Sequence, residues 1–124
     1  MDYGTIKAGL AKVVPMNTHL GLELLEVGDG RGVVRLPDDA RMLNHVGSQH
    51  AAGLFAAGEF ASGAAMTGAL AAHLANATPL AATAIAERLA ADGRAEFAPE
   101  IEMTDEQGVV VATMTVQWHV RQRR

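Results

Sequence analysis

The chain has 124 residues, a formal net charge of −4 and no cysteine. This length is typical of one domain, and we predict a single domain over residues 1–124. The acidic balance argues against general nucleic-acid binding, which needs a basic surface. The lack of cysteine excludes disulfides and a thiolate nucleophile. The first residues lack the basic and apolar regions of a secretory signal, so the sequence predicts a cytoplasmic protein.

Three elements are predicted in the first third of the chain. Apolar residues recur at three-to-four spacing over Tyr3–Met16, which predicts a short helix. Two strands are predicted next, at Leu20–Val27 and Gly32–Leu36. The intervening Gly28-Asp29-Gly30 supplies the turn chemistry of a hairpin.

A long central helix is predicted from His50 to Ala75, since this stretch is rich in alanine and leucine and contains no proline. The glycines within it lower helix stability. We expect close approach of another backbone, such as a sheet wrapping the helix, to compensate. The stretch is long enough to cross a bilayer, but it carries Glu59 and mostly small residues, so a membrane span is not expected.

The C-terminal third alternates between apolar and polar residues. From Phe97 this alternation predicts an antiparallel hairpin with its turn at Asp105–Gly108. The preceding segment, Leu80–Ala91, is ambiguous; its weak alternation predicts a strand leading to a turn at Asp92-Gly93. One long helix among antiparallel strands in a single domain is an α+β arrangement.

Glu59 is the only formally charged residue between Met42 and Ala86. Glutamate is almost never buried without a partner, because removing an ionised carboxylate from water is costly. An isolated acid in a helix that otherwise resembles core is a candidate general base or nucleophile. The alternative is that Glu59 lies on a thin solvated stripe of an ordinary helix.

The loop and helix start read Asn44-x-x-Gly47-x-x-His50, followed nine residues later by Glu59. This spacing resembles the hotdog-fold acyl-CoA thioesterases of the phenylacetic-acid-pathway type. The closing Trp118-His119-Val120-Arg121 resembles the end of an uncharacterised branch of the same superfamily. The resemblance implies a hotdog fold, in which a curved antiparallel sheet wraps one long central helix.

The same resemblance assigns catalytic roles. Glu59 would be the general base or the nucleophile of thioester hydrolysis, in a cleft shared by two copies and within reach of the amides that begin its own helix. The backbone N–H of Ala51 would hold the oxyanion. His50 would help to orient the carbonyl or the loop, and Asn44 would position the water or the acid of the facing subunit. A homodimer or a homotetramer built as a dimer of dimers is expected.

Substrate-binding roles are expected for Gly47, Ala52 and Ser62. The family usually has two glycines where Ala51 and Ala52 stand here. The hydroxyl that often follows the acid by one turn would fall at Gly63, and Ser62 or Thr67 would be its substitute. The strand that follows the helix in the family has no clear counterpart.

The function predicted from the sequence is hydrolysis of an acyl-CoA or related thioester. One alternative is a hotdog protein that binds an acyl ligand without turnover. A hotdog dehydratase is a weaker alternative, since its His-Phe-Pro-Gly motif is missing. A structural or membrane-surface protein is the remaining class. No His, Asp or Glu grouping has zinc-site spacing, so neither a metal nor another cofactor is expected.

Overall fold

The structure is a computed structural model that describes residues 3–28, 30–74 and 87–121. Short helices come first, a long helix lies in the middle, and strands follow. Residues 87–92 are also helical. The elements are α1 (Tyr3–Val13), α2 (Pro15–His19), β1 (Glu23–Gly28), β2 (Arg31–Arg35), a 3-10 turn (Ala40–Met42), α3 (Ala51–Leu74), β3 (Arg94–Phe97), β4 (Glu100–Thr104), β5 (Val110–Thr115) and β6 (Trp118–Arg121).

The first hairpin pairs β1 with β2 in antiparallel register, closing at Gly28 opposite Arg31. This confirms the hairpin predicted from the glycine-rich turn. The first strand is shorter than predicted, because Pro15 begins a second helix and the chain turns at Gly21, where φ is +69°. The strand therefore begins at Glu23 rather than at Leu20.

The C-terminal strands form two antiparallel pairs. Strand β4 pairs with β5, and β3 pairs with β6. The turn lies where the sequence predicts it. Asp105 Oδ1 accepts hydrogen bonds from the amides of Gln107 and Val109, both at 2.9 Å, and Gly108 takes the left-handed φ of +80°. Asp105 is suited to this turn because its short carboxylate can accept from nearby backbone amides.

The small residues of α3 let the first hairpin approach the helix backbone closely. A Cβ on Gly32 of β2 would collide with the carbonyl oxygen of Ala61. A Cβ on Gly68 of α3 would lie 2.8 Å from the backbone nitrogen of Gly28. The predicted compensation for the helical glycines is confirmed at this position. Side chains would hold the hairpin and the helix apart.

The core of the described residues lies between α3 and the first hairpin. Leu24 of β1 and Phe60 and Ala64 of α3 are its buried members. The inward side chains of the second hairpin are only half-buried, although Met103 and Met114 reach across to Gly58 of α3. The partly buried residues packed against the core are Leu10, Leu22, Val27 and Val34.

One sequence prediction is wrong in part. The segment Leu80–Ala91 was expected to be a strand, but its residues 87–91 are helical. Its residues 80–86 lie outside the described part of the chain. The helix-favouring composition of this segment outweighed its weak alternation. Gly93, with a φ of +66°, then separates the helix from β3, so the predicted turn is present.

Candidate functional site

His50 caps the start of α3. Its Nδ1 accepts a hydrogen bond from the amide of Ala52 at 3.0 Å, and its carbonyl accepts from Gly53 and Leu54. Since Nδ1 is the acceptor, the neutral ring carries its proton on Nε2. The side chain is exposed, which leaves this N–H available to a ligand. Within the described ranges the amide of Ala51 donates to no protein group. The helix start therefore presents two hydrogen-bond donors.

Asn44 organises the loop that delivers His50. Its Oδ1 accepts from the amides of Val46 and Ser48, at 3.0 and 3.1 Å, and its Nδ2 donates to the hydroxyl of Ser48 at 2.8 Å. Gly47 stands at the left-handed φ of +80° that this loop requires. One Nδ2 hydrogen of Asn44 is left for any other partner. Its role in positioning water stays a prediction, as does the substrate-binding role of Gly47.

Glu59 lies in α3 on the same side as Phe55, which precedes it by one turn. Phe55 is 63% exposed. The side chain of Glu59 is half-buried. Among residues 3–28, 30–74 and 87–121, the carboxylate has no hydrogen-bond or ion-pair partner. Partly desolvated carboxylates are normally compensated by a partner. A group at this position is therefore available to act on a ligand or on another copy of the chain.

The continuity of α3 separates Glu59 from the donors at the helix start. Ala51 precedes Glu59 by eight residues within one uninterrupted helix. The rise between them is about 12 Å, more than a glutamate side chain can span. The expectation that Glu59 reaches the amides beginning its own helix is therefore wrong for a single protomer.

Ser62 has a structural role in this conformation. It is 1% exposed and donates to the carbonyl oxygen of Glu59 at 2.7 Å. Its hydroxyl also accepts from the indole nitrogen of Trp118 in β6 at 3.0 Å. The ring of that tryptophan lies beside Gly63, where an added Cβ would be in ordinary van der Waals contact with it at 3.6 Å. The hydroxyl is already engaged on both sides, so its predicted substrate-binding role has no support from the geometry.

A cleft of about 160 Å³ lies at the start of α3. It brings His50 and Ala52 together with side chains from α2 and from the 3-10 turn. Glu59, Asn44, Gly47 and Ser62 do not line it. The sequence did not predict most of the lining residues, because no local pattern indicates that they lie near the start of α3. The lining residues are Met16, Leu20, Arg41, Met42, His50, Ala52 and Gly53.

Arg41 is the charged residue in this lining, and its charge is already paired. Its Nε donates to both carboxylate oxygens of Asp39, at 3.1 and 3.0 Å. The side-chain hydrogen bonds from Arg41, followed by the one from its backbone amide, lower the pKa of Asp39 to about 2. The side-chain hydrogen bonds to Asp39, and the negative charge of that carboxylate, raise the pKa of the Arg41 guanidinium. The pair fixes the turn that carries Met42 into the cleft.

No three His, Asp or Glu side chains gather as a metal site within the described residues. Nor does any helix in the described ranges combine the length and hydropathy needed to cross a bilayer.

The fold and the family follow from comparison with known proteins. A crystal structure of a Pseudomonas aeruginosa protein of unknown function, PA5026, named as a probable thioesterase, superimposes with a TM-score of 0.76. It covers 99% of this chain and 97% of its own, at 19% sequence identity. The chain therefore has the hotdog fold, with antiparallel strands around one long helix.

The chain belongs to the family described as a domain of unknown function, DUF4442, whose model matches residues 4–120. A second solved structure, APC5556, covers 79% of this chain and 55% of its own, at 20% identity and a TM-score of 0.44. No curated protein matches the chain significantly.

Proposed function

We propose that the protein hydrolyses the thioester of an acyl-CoA or a related acyl carrier, as a homodimer or a dimer of dimers in the cytoplasm. The observation that carries this proposal is the half-buried carboxylate of Glu59, which has no partner among the described residues. It lies on the helix whose start presents two donors, the Ala51 amide and His50 Nε2, that have no acceptor among the described residues. The likeness of the fold to that of a probable thioesterase is in keeping with this chemistry.

The site is completed by a second copy. Because about 12 Å of helix separates Glu59 from Ala51, the acid of one protomer acts on a carbonyl held by the helix start of its partner. The exposed ring of Phe55, beside Glu59 on α3, is the kind of apolar surface that an interface covers.

The reaction can follow either of two routes. In the first, Glu59 removes a proton from water, whose oxygen attacks the thioester carbon. The Ala51 amide and His50 Nε2–H stabilise the oxyanion, and its collapse expels the thiolate, which recovers the proton from Glu59. In the second, a Glu59 oxygen attacks the carbonyl carbon, the thiolate leaves, and water hydrolyses the resulting anhydride.

Glu59→Gln tests the assignment, because it keeps the shape and removes the base. We expect kcat for thiol release from acyl-CoA esters to fall at least about 10²-fold, with the melting temperature maintained. Glu102→Gln, at an exposed position of β4, is the matched control and should leave both unchanged. Normal turnover by the Glu59 variant would refute the catalytic assignment.

Two further measurements refine the mechanism. His50→Asn keeps a good helix cap but removes the Nε2–H donor, so activity should fall while stability is retained. A single turnover in ¹⁸O-labelled water tests the nucleophilic route. Label in the Glu59 carboxylate would establish that route, with water attacking the glutamyl carbonyl of the anhydride, because the general-base route places label only in the released acid.

A protein that binds acyl-CoA without turnover is the second candidate. The observation that favours it is the exposed pair of methyl groups, Ala51 and Ala52, at the helix start where a thioester would approach. Calorimetric binding of acyl-CoA esters without thiol release would support this alternative. Turnover that depends on Glu59 would exclude it.

A further inference from the structure

The cleft at the start of α3 is apolar on the side away from His50. Helix α2 begins at Pro15, and it turns Met16 and Leu20 towards the first turn of α3. Met42, nearly buried, closes the cleft from the 3-10 turn. Its side chain lies close to Gly53, where an added Cβ would meet Met42 Cε at 3.1 Å. The absence of a side chain at Gly53 therefore keeps this end of the cleft open.

The charge in the cleft is already neutralised. Arg41 is bound through two hydrogen bonds from Nε to the Asp39 carboxylate. A carboxylate or phosphate ligand would have to compete with Asp39 for this guanidinium. Thioether and aliphatic side chains form the remaining wall, and such surfaces favour apolar ligands over charged ones.

The volume limits the size of the ligand. A dry cavity of about 150 Å³ in another protein accommodates one benzene molecule, and this cleft measures about 160 Å³. It therefore has room for a group of about six carbons. A long fatty chain would extend into solvent.

We propose that this cleft is the acyl subsite, which takes a short, uncharged acyl chain of about six carbons or a single ring. This inference rests on the proposed thioester hydrolysis. With the thioester carbonyl at His50 Nε2–H, the carbon chain enters between α2 and α3 and ends against Met42. The carrier then extends away from the cleft, towards solvent.

The experiment measures kcat/KM for straight-chain acyl-CoA esters from two to twelve carbons. For the wild-type protein kcat/KM rises about fourfold per added methylene until the chain has about six carbons, because each buried methylene adds binding energy. Beyond that length it stops rising. Leu20→Ala enlarges the cleft, so kcat/KM should keep rising to longer chains before it levels off. Leu20→Trp fills the cleft and lowers the hexanoyl-to-acetyl ratio of kcat/KM at least about tenfold.

Val13→Trp is the matched control. Val13 is 71% exposed at the end of α1 and does not line the cleft. This variant therefore introduces the same indole ring outside the cleft, and the dependence of kcat/KM on chain length should match that of the wild type. Circular dichroism verifies the fold of each variant. If Leu20→Trp does not fold, Leu20→Phe replaces it.

The outcomes separate this inference from the proposed function. Thioester hydrolysis that depends on Glu59, with one chain-length profile for wild type and both Leu20 variants, would overturn the acyl subsite alone. If no thioester is hydrolysed, the proposed function fails. Calorimetry with the hexyl thioether of CoA then tests whether the cleft binds the acyl chain. Weaker binding by Leu20→Trp than by Val13→Trp supports the acyl subsite, and equal binding by the two variants overturns it.

Discussion

Replacing Gly32 with alanine should separate the first hairpin from α3, because the added methyl has no space. Its Cβ would collide with the carbonyl oxygen of Ala61, and it would lie 2.8 Å from the backbone nitrogen of Ala65 and 3.0 Å from Cβ of Ala64. Backbone atoms and a fully buried Cβ cannot rotate away, so strand and helix must shift apart. Overpacking costs about 1–3 kcal/mol, and these rigid neighbours place Gly32→Ala at the upper end, about 3 kcal/mol.

The assay is urea unfolding followed by circular dichroism, at one fixed protein concentration because an oligomer's stability depends on concentration. Thermal unfolding at the same protein concentration should show a melting temperature lower by about 10 °C. Gly9→Ala is the matched control, since nothing lies within 4 Å of its added Cβ in α1. It should raise stability by about 0.5–1 kcal/mol. A Gly32 variant within about 0.5 kcal/mol of the wild type would refute the close approach of strand and helix.

Two further predictions concern side-chain hydrogen bonds. Trp118→Phe removes the donor to the buried Ser62 hydroxyl and should lower the free energy of unfolding by about 1 kcal/mol. Combined with Ser62→Ala it should show a coupling of about 1 kcal/mol, and strictly additive effects would contradict a shared hydrogen bond. Hydrogen bonds from Arg41 lower the pKa of Asp39 from 3.8 to about 2, so the pair's stabilisation is present above pH 3.8 and is lost as the pH falls through 2. A carbon NMR titration should show a midpoint near 2 that Arg41→Gln moves upward, whereas a wild-type midpoint near 4 would contradict the pairing.

Much of the secondary structure could be predicted from short-range sequence patterns. The turn at Asp105–Gly108, the hairpin closed at Gly28 and the helix after His50 all follow from short-range chemistry. Each of these elements depends on residues that are close in sequence. The turn uses a carboxylate that accepts hydrogen bonds from nearby amides, the hairpin uses a residue that tolerates positive φ, and the helix uses a run of helix-favouring residues. Where local signals conflicted, as over Leu80–Ala91, alternation predicted a strand and residues 87–91 are helical.

The candidate site was accessible only in part. The lack of other charges around Glu59 identified it as exceptional. Its half-buried side chain, which has no partner within the described part of the chain, is consistent with that interpretation. Sequence spacing could not show that Ser62 is already engaged by Trp118, which lies 56 residues further along the chain. Nor could it show that Nδ1 of His50 accepts from Ala52, which makes Nε2 the donor nitrogen of the ring.

By itself the sequence determined the helix, the hairpins and the identity of the isolated acid, because propensity, alternation and charge are properties of neighbouring residues. Only the tertiary structure decided which polar groups remain free and where a ligand has room. The separation of Glu59 from Ala51 follows from the uninterrupted course of α3. The cleft exists because α2 and the 3-10 turn meet the start of α3. A hydrogen bond is satisfied, or a cavity enclosed, by residues distant in sequence, and their proximity arises only when the chain folds.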